Sequence, residues 1–135
     1  MILKDLLKDL DCDVEGSKDI KIEDVIYDSR KIKNGCMFVC LEGADFDAHN
    51  FIQSAIDNGA VAIMTNRKFS QSFNNITIIK VNNTRQALAY ISSKFFNEPA
   101  SQLKIIGVTG TKGKTTTTAM IKSILEAEKI KVATI

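Results

Sequence analysis

Apolar positions along the chain follow two rhythms, a spacing of about 3.6 residues and short continuous or alternating runs, separated by polar or glycine-bearing breaks. Ile2, Leu3, Leu6, Leu7 and Leu10 share one helical face, which predicts a short amphipathic helix over 2–10. Asp11, Asp13, Gly16 and Ser17 then mark a loop. Ile20 and Ile22 alternate with Lys21 and Glu23 as in a half-buried strand. Val25-Ile26-Tyr27 is a second short run that stops at Asp28-Ser29-Arg30. Asn34-Gly35 signals a turn into a strand over 36–41.

A polar loop over 42–50 leads to Phe51, Ile52, Ala55 and Ile56, a helix face that Asn58-Gly59 stops. Residues 60–65 read as a buried strand, 66–75 as a loop and 76–81 as another strand. Asn83 stands where it can cap a helix whose inner face is Ala87, Leu88, Ile91 and Phe95, and Pro99 ends it. The pattern restarts from Leu103 as strand, glycine-rich turn and helix, with Ile121, Ile124 and Leu125 facing inward and a strand over 130–135. Strands alternating with helices predict an α/β architecture. The boundary falls near 98–102, giving units over 1–100 and 101–135.

The chemistry concentrates in the restart. Ile105-Ile106-Gly107-Val108-Thr109-Gly110-Thr111-Lys112-Gly113-Lys114-Thr115-Thr116 is an apolar run, a glycine-rich turn and Lys-Thr-Thr opening a helix. This is the layout of a phosphate-binding loop, in which turned-in amides and a helix N-terminus meet an anion. Lys114 would reach the terminal phosphates of a nucleotide and the Thr115 hydroxyl would ligate Mg²⁺. The generic spacing asks for a glycine at 108, where the chain has Val108. The same junction also occurs where glycines serve turn geometry alone.

Composition narrows the class. The chain has 135 residues, 44% hydrophobic and 25% charged, with a net charge of +2. These are ordinary values for a folded domain with a core. No basic stripe interleaved with aromatics points to nucleic acid, and no apolar run is long enough to span a membrane. Acidic Asp5 and Asp9 near the start argue against a secretion signal. Three cysteines without Cys-x-x-Cys spacing and one histidine speak against zinc and disulfides. Cys36 and Cys40 share a strand face and read as small buried groups, and a reduced, cytoplasmic setting is expected.

The loop Gly107-Val-Thr-Gly-Thr-Lys-Gly-Lys-Thr-Thr-Thr117 resembles the ATP-binding loop of the Mur ligases, the peptidoglycan precursor synthetases. In that family Thr-Gly-Thr-Asn-Gly-Lys-Thr-Thr is usual, so Val108 fits and Lys112 departs from asparagine. Lys112 is then either an added cation at the phosphates or a solvated side chain. Upstream, Asp28-Ser29-Arg30, Gly35-x-x-Phe38-Val39, Gly43-x-x-x-Asp47-x-His49-x-Phe51-Ile52, Ala55-Ile56-x-x-Gly59-Ala60 and Val81-x-Asn83-x-Arg85-x-Ala87-Leu88 resemble the family's N-terminal uridine-binding domain. Two members carry these motifs, the ligases adding the third amino acid and the terminal dipeptide. Gly-Val-Thr-Gly-Thr before Gly-Lys-Thr-Thr-Thr favours the former. Asn83 stands where aspartate is more usual.

The resemblance implies an N-terminal uridine-binding domain followed by the first strand–loop–helix of a parallel-sheet ATPase domain that continues beyond Ile135. It implies ATP-dependent ligation of an amino acid to UDP-MurNAc-dipeptide through an acyl phosphate, with Mg²⁺ at Thr115. The ATP site would comprise Gly110, Thr111, Lys112, Gly113, Lys114, Thr115 and Thr116, with Lys114 catalytic. The UDP-substrate site would comprise Tyr27, Ser29, Arg30, Gly43, Ala44, Asp45, Phe46, Asp47 and His49. Within it, Tyr27 either supports uracil or, more in keeping with a tyrosine after a strand, fills the core. Arg30 either neutralises a phosphate or pairs with Asp28 or Asp47. His49 either bonds a phosphate or serves structure, Asp47 orients its own loop, and Arg85 supports an interface. The chain alone is expected to lack ligase activity. The competing readings are the terminal-dipeptide ligase, a folylpolyglutamate-synthetase-like enzyme, a UDP-sugar-binding module with a vestigial loop, and an unrelated phosphate-loop NTPase.

Overall fold

The computed structural model describes residues 1–43, 46–68 and 73–135. It divides into two units, Met1–Pro99 and Ala100–Ile135. The first is built on a five-stranded sheet of β1 (Asp13–Glu15), β2 (Asp24–Ile26), β3 (Cys36–Val39), β4 (Ala62–Thr65) and β5 (Thr77–Lys80), in the order β1-β5-β4-β3-β2. β2 to β5 run parallel in register, Val25 beside Met37, Phe38 beside Ile63, Met64 beside Ile79. β1 closes one edge antiparallel, Val14 opposite Ile79.

A parallel sheet needs cover on both faces, and the alternation of side chains divides the core accordingly. Met37, Val39, Ala62, Met64 and Ile79 pack with Leu3 and Leu6 of helix α1 (Leu3–Leu6) and with Ala87 and Ile91 of helix α3 (Thr84–Phe95). Cys36, Phe38, Cys40 and Ile63 form the opposite layer with Ala48 and with Ile52 and Ala55 of helix α2 (Ile52–Asp57). Every residue of β3 and β4 is buried, which is why these strands read as continuous apolar runs rather than alternations. Each large apolar side chain taken from water there contributes about 1.5–3 kcal/mol.

Turns at the amino-terminal edge of the sheet hold the strands in step. Gly35 (φ 78°) and Gly59 (φ 98°) adopt left-handed conformations, and the Gly35 amide donates to the Gly59 carbonyl at 2.8 Å. A Cβ at Gly59 would lie 2.9 Å from the Asn34 backbone, so only glycine fits. Asn83 caps α3, its side-chain oxygen accepting from the Arg85 and Gln86 amides at 3.0 and 3.1 Å.

Several sequence expectations are corrected. The helix over 2–10 contracts to Leu3–Leu6, because Met1 and Ile2 pair with the extended 20–22 segment instead. The Met1 carbonyl accepts from the Ile22 amide at 2.7 Å, and Asp9 breaks the helix at φ 65°. For the same reason 20–22 forms a single bridge rather than a sheet strand, although Ile22 is fully buried. The expected loop over 11–17 contains β1, whose one apolar residue is too little to register as a pattern. α3 ends at Phe95, before Pro99, as Asn97 turns left-handed (φ 59°) and the Glu98 amide returns to the Ser93 carbonyl at 2.7 Å.

The second unit contains helix α4 (Lys114–Ala127). No strand forms over 103–109 or 130–135, contrary to expectation. A strand exists only with a ladder partner, and the described residues of this unit supply none. Ile105 and Ile106 stay exposed, and Ile124, expected to face inward on α4, is 66% exposed. Among the described residues, no helix is long and apolar enough to cross a membrane.

Removal of the α3 cap tests how far this helix relies on one side chain. Asn83→Ala is expected to lower stability by about 1 kcal/mol in urea unfolding, and Asn83→Asp to leave it within a few tenths.

Candidate functional site

The parallel pairing of β2 to β5 brings four chain segments to one edge of the first unit: 27–30, 40–43, 66–67 and 82–85. Ligands of open α/β sheets bind outside such carboxyl ends.

At the end of β2 the ladder stops with Ile26 beside Phe38. Tyr27 lies one residue past it and is 58% exposed, which overturns the core-filling reading. Ser29 opens a 3₁₀ turn over Ser29–Lys31 that Asp28 caps, accepting from the Arg30 amide at 3.1 Å. The Arg30 guanidinium also grips the Asp28 carboxylate by two prongs, Nε to Oδ1 at 2.9 Å and Nη2 to Oδ2 at 2.8 Å. Hydrogen bonding to Arg30 draws the Asp28 pKa down to about 2. Arg30 thus takes the Asp28 partnership among those the sequence left open. An open cleft of about 490 Å³ beside β2 is lined by Tyr27, Asp28, Arg30, Lys31 and Lys33 among others.

Beyond β3, the loop 42–47 is pinched at its base. Glu42 bridges Asp47 antiparallel, the Gly43 amide donates to the Phe46 carbonyl at 2.7 Å, and the Ala48 amide to the Leu41 carbonyl at 3.1 Å. Ala44 and Asp45, both in the expected UDP site, lie outside the described residues. Phe46 is half exposed and stacks on Phe51 with ring centroids 5.3 Å apart.

Asp47 caps the following 3₁₀ turn by accepting from the His49 amide at 2.9 Å. That bond, with a second to the imidazole, holds its carboxyl below the usual range. The His49 ring is nearly sealed, its side chain 5% exposed. Nδ1 lies 2.6 Å from Asp47 Oδ1 and Nε2 lies 2.9 Å from Thr65 Oγ1 at the end of β4. Nδ1 thus faces a carboxylate acceptor and Nε2 a hydroxyl that can donate or accept. Both ring nitrogens are therefore engaged within the protein.

Three participants escaped the sequence reading: Glu42, Thr65 and Arg67. Arg67 Nη2 meets Glu42 Oε1 at 2.5 Å and Nη1 meets Asp47 Oδ2 at 2.8 Å, while its amide donates to Thr65 Oγ1 at 2.9 Å. Bonds to Glu42 first, then Asp47, raise the arginine's pKa. Arg85, expected at an interface, donates from Nη2 to the Glu42 carbonyl at 2.7 Å. The signal available in sequence was position: polar Thr65-Asn66-Arg67 directly closes an apolar strand. Glu42, Asp47 and His49 bring metal-type atoms within 4.8 Å of one another, but Arg67 already supplies the cation between the two carboxylates. Cys40, beneath this loop, has its thiol pushed up to about 12 by burial.

In the second unit, Gly110 (φ 155°) and Gly113 (φ 77°) shape the turn into α4. No side chain caps the helix, and the Lys114 ammonium donates to the Gly110 carbonyl at 2.7 Å. Nothing lies within 4 Å of a Cβ built at Gly113. The amides of Lys114, Thr115 and Thr116 therefore begin a helix with a positive dipole end and no intramolecular acceptor for it. Thr111, Lys112, Thr115 and Thr116 are exposed around it.

The first unit is thus an α/β sheet with polar groups gathered at its carboxyl edge, and the second carries a glycine-rich turn into a helix. Residues 21–96 match the Mur ligase family, catalytic domain, and the chain belongs to the Mur ligase family. It is 50% identical over 127 residues to the UDP-N-acetylmuramoyl-L-alanyl-D-glutamate--2,6-diaminopimelate ligase of Clostridium perfringens (strain 13 / Type A), covering 93% of this chain and 26% of that protein. The enzyme of the same name from Clostridium tetani (strain Massachusetts / E88) is 47% identical over 135 residues, 98% of this chain and 28% of its own length. Among solved structures, MurF from Acinetobacter baumannii superimposes with a TM-score of 0.69 at 31% identity, covering 93% of this chain and 27% of that one. MurF ligase from Thermotoga maritima in complex with ADP gives 0.55 at 31% identity over 76% of this chain and 23% of that one. The chain spans about a quarter of the length of the relatives it matches.

The lowered carboxyl pKa values fix a pH dependence. An Asp whose folded pKa lies below its unfolded value of about 3.9 contributes stability above that value and loses it as pH falls through the folded one. For Asp28 the loss runs from about pH 4 to about pH 2. Urea midpoints of the chain are expected to fall across that interval, and Asp28→Asn to make the fall shallower.

Proposed function

We propose that this chain supplies the uridine-nucleotide-binding unit and the ATP phosphate loop of a ligase that adds 2,6-diaminopimelate, as third amino acid, to UDP-MurNAc-dipeptide in the cytoplasm. Likeness to ligases of that name along almost the whole chain carries the reading. The reaction transfers the ATP γ-phosphoryl group to the substrate carboxylate, and the incoming amine displaces phosphate from the acyl phosphate.

In this reading the first unit, 1–100, holds the UDP end of the substrate. Ser29, which opens the 3₁₀ turn after β2, offers a donor and acceptors to the nucleotide. Tyr27 presents an exposed ring for the base, and Arg30 an exposed guanidinium for phosphate. The loop 43–47 brings backbone close to the diphosphate at Gly43, and His49 supports that loop through Asp47.

The second unit, 101–135, binds ATP through 110–116. Its uncapped helix start and the open space at Gly113 suit phosphate oxygens. Lys114 leaves the Gly110 carbonyl to meet the terminal phosphates and stabilise their charge. The exposed hydroxyl of Thr115 is a hard oxygen donor that fits Mg²⁺, an ion that neutralises charge on the phosphates when bound. Thr116 offers a second hydroxyl to the same site.

The structural likeness to MurF favours a second reading, the terminal-dipeptide ligase, in which the same two sites act on a longer UDP-MurNAc-peptide. Calorimetric titration with UDP-MurNAc-dipeptide, and separately with ATP, tests the assignment of one ligand to each unit. Lys114→Ala is expected to weaken ATP about tenfold or more and leave the UDP ligand unaffected. Binding of ATP alone would sink the uridine reading.

A further inference from the structure

We propose that Arg67 is a positioning residue for the uridine nucleotide, clasping Glu42 to Asp47 at the base of the loop 42–47 and offsetting part of their negative charge. The proposal rests on the reading of that loop as the nucleotide's diphosphate site.

A loop meant to receive a diphosphate begins and ends on carboxylates, Glu42 and Asp47. Left alone, these two would repel each other across the pinched base and repel the ligand. The Arg67 fork joins them, one nitrogen to each carboxylate, at 2.5 and 2.8 Å. A planar guanidinium with divergent donors can bridge two carboxylates at a set spacing, whereas an ammonium is a single point. The bridge acts on backbone already paired by Glu42 with Asp47, by the Gly43 amide with Phe46 and by the Ala48 amide with Leu41.

Arg67 is itself anchored. Its amide donates to Thr65 Oγ1, the hydroxyl that also meets His49 Nε2, and His49 Nδ1 returns to Asp47. The circuit Arg67–Asp47–His49–Thr65 therefore ties the end of β4 to the loop after β3. From α3, Arg85 also grips the loop base, donating to the Glu42 carbonyl.

The test uses the 135-residue chain, titrated with UDP-MurNAc-dipeptide, and follows amide hydrogen exchange in parallel. Arg67→Ala is expected to weaken binding about five- to tenfold and to speed exchange at Gly43 and Ala48, with Ile63 in the core unchanged. Arg67→Lys should recover part of the affinity. Glu42→Gln, which breaks the bridge from its other end, should weaken binding as well. A direct Arg67–phosphate contact predicts the reverse for Glu42→Gln, unchanged or tighter binding, and that result overturns the positioning role. Equal binding by the unsubstituted chain and Arg67→Ala overturns the role of Arg67 while the uridine reading stands. Failure of the unsubstituted chain to bind overturns the uridine reading and the ligand part of this proposal together, and unchanged exchange at Gly43 and Ala48 overturns the loop-ordering part.

Discussion

Parallel pairing governs this molecule. Four strands running the same way must each be reached by a connection that crosses a face of the sheet, so both faces are buried and all four carboxyl ends open on one edge. Polar atoms that could not be tolerated beside Phe38 or Ile63 are displaced to that edge. His49 and Thr65, enclosed at that edge, satisfy each other, whereas the buried Asn66 Oδ1 beside them has no partner among the described residues.

The two units present polar groups by different physical means. In the second, the backbone does the work: a left-handed glycine starts a helix whose first amides have no side-chain acceptor. In the first, the edge is rich in paired side-chain charge, Arg30 with Asp28 and one arginine, Arg67, shared by Glu42 and Asp47. Such pairing holds the loop bases in fixed geometry through charge-assisted hydrogen bonds.

What could be read from the sequence was local. The buried runs of β3 and β4, the Asn83 cap and the glycine stop at Gly59 each announce themselves within a few residues. What could not be read depends on distant partners. β1 has one apolar residue and exists because β5 offers it a ladder. Tyr27 looks like the end of an apolar run, yet the ladder has already ended at Ile26. Residues 103–109 have strand composition without a neighbouring strand. Within the candidate site, Ser29, Arg30, Asp47 and His49 were singled out through motif order, whereas Arg67 gains its meaning only from carboxylates on another segment.

The clasp between the two turns at the opposite edge carries a consequence for how this fold can change. Gly59 is wedged against Asn34, and the Gly35 amide grips its carbonyl, so the entry points of β3 and β4 are locked to each other far from the ligand edge. Strand alignment is thus decided away from the carboxyl edge. Loops on the recognising side are free to lengthen, shorten or exchange side chains without shifting a single rung. One scaffold can in this way acquire new specificities by loop replacement alone, as long as position 59 stays glycine.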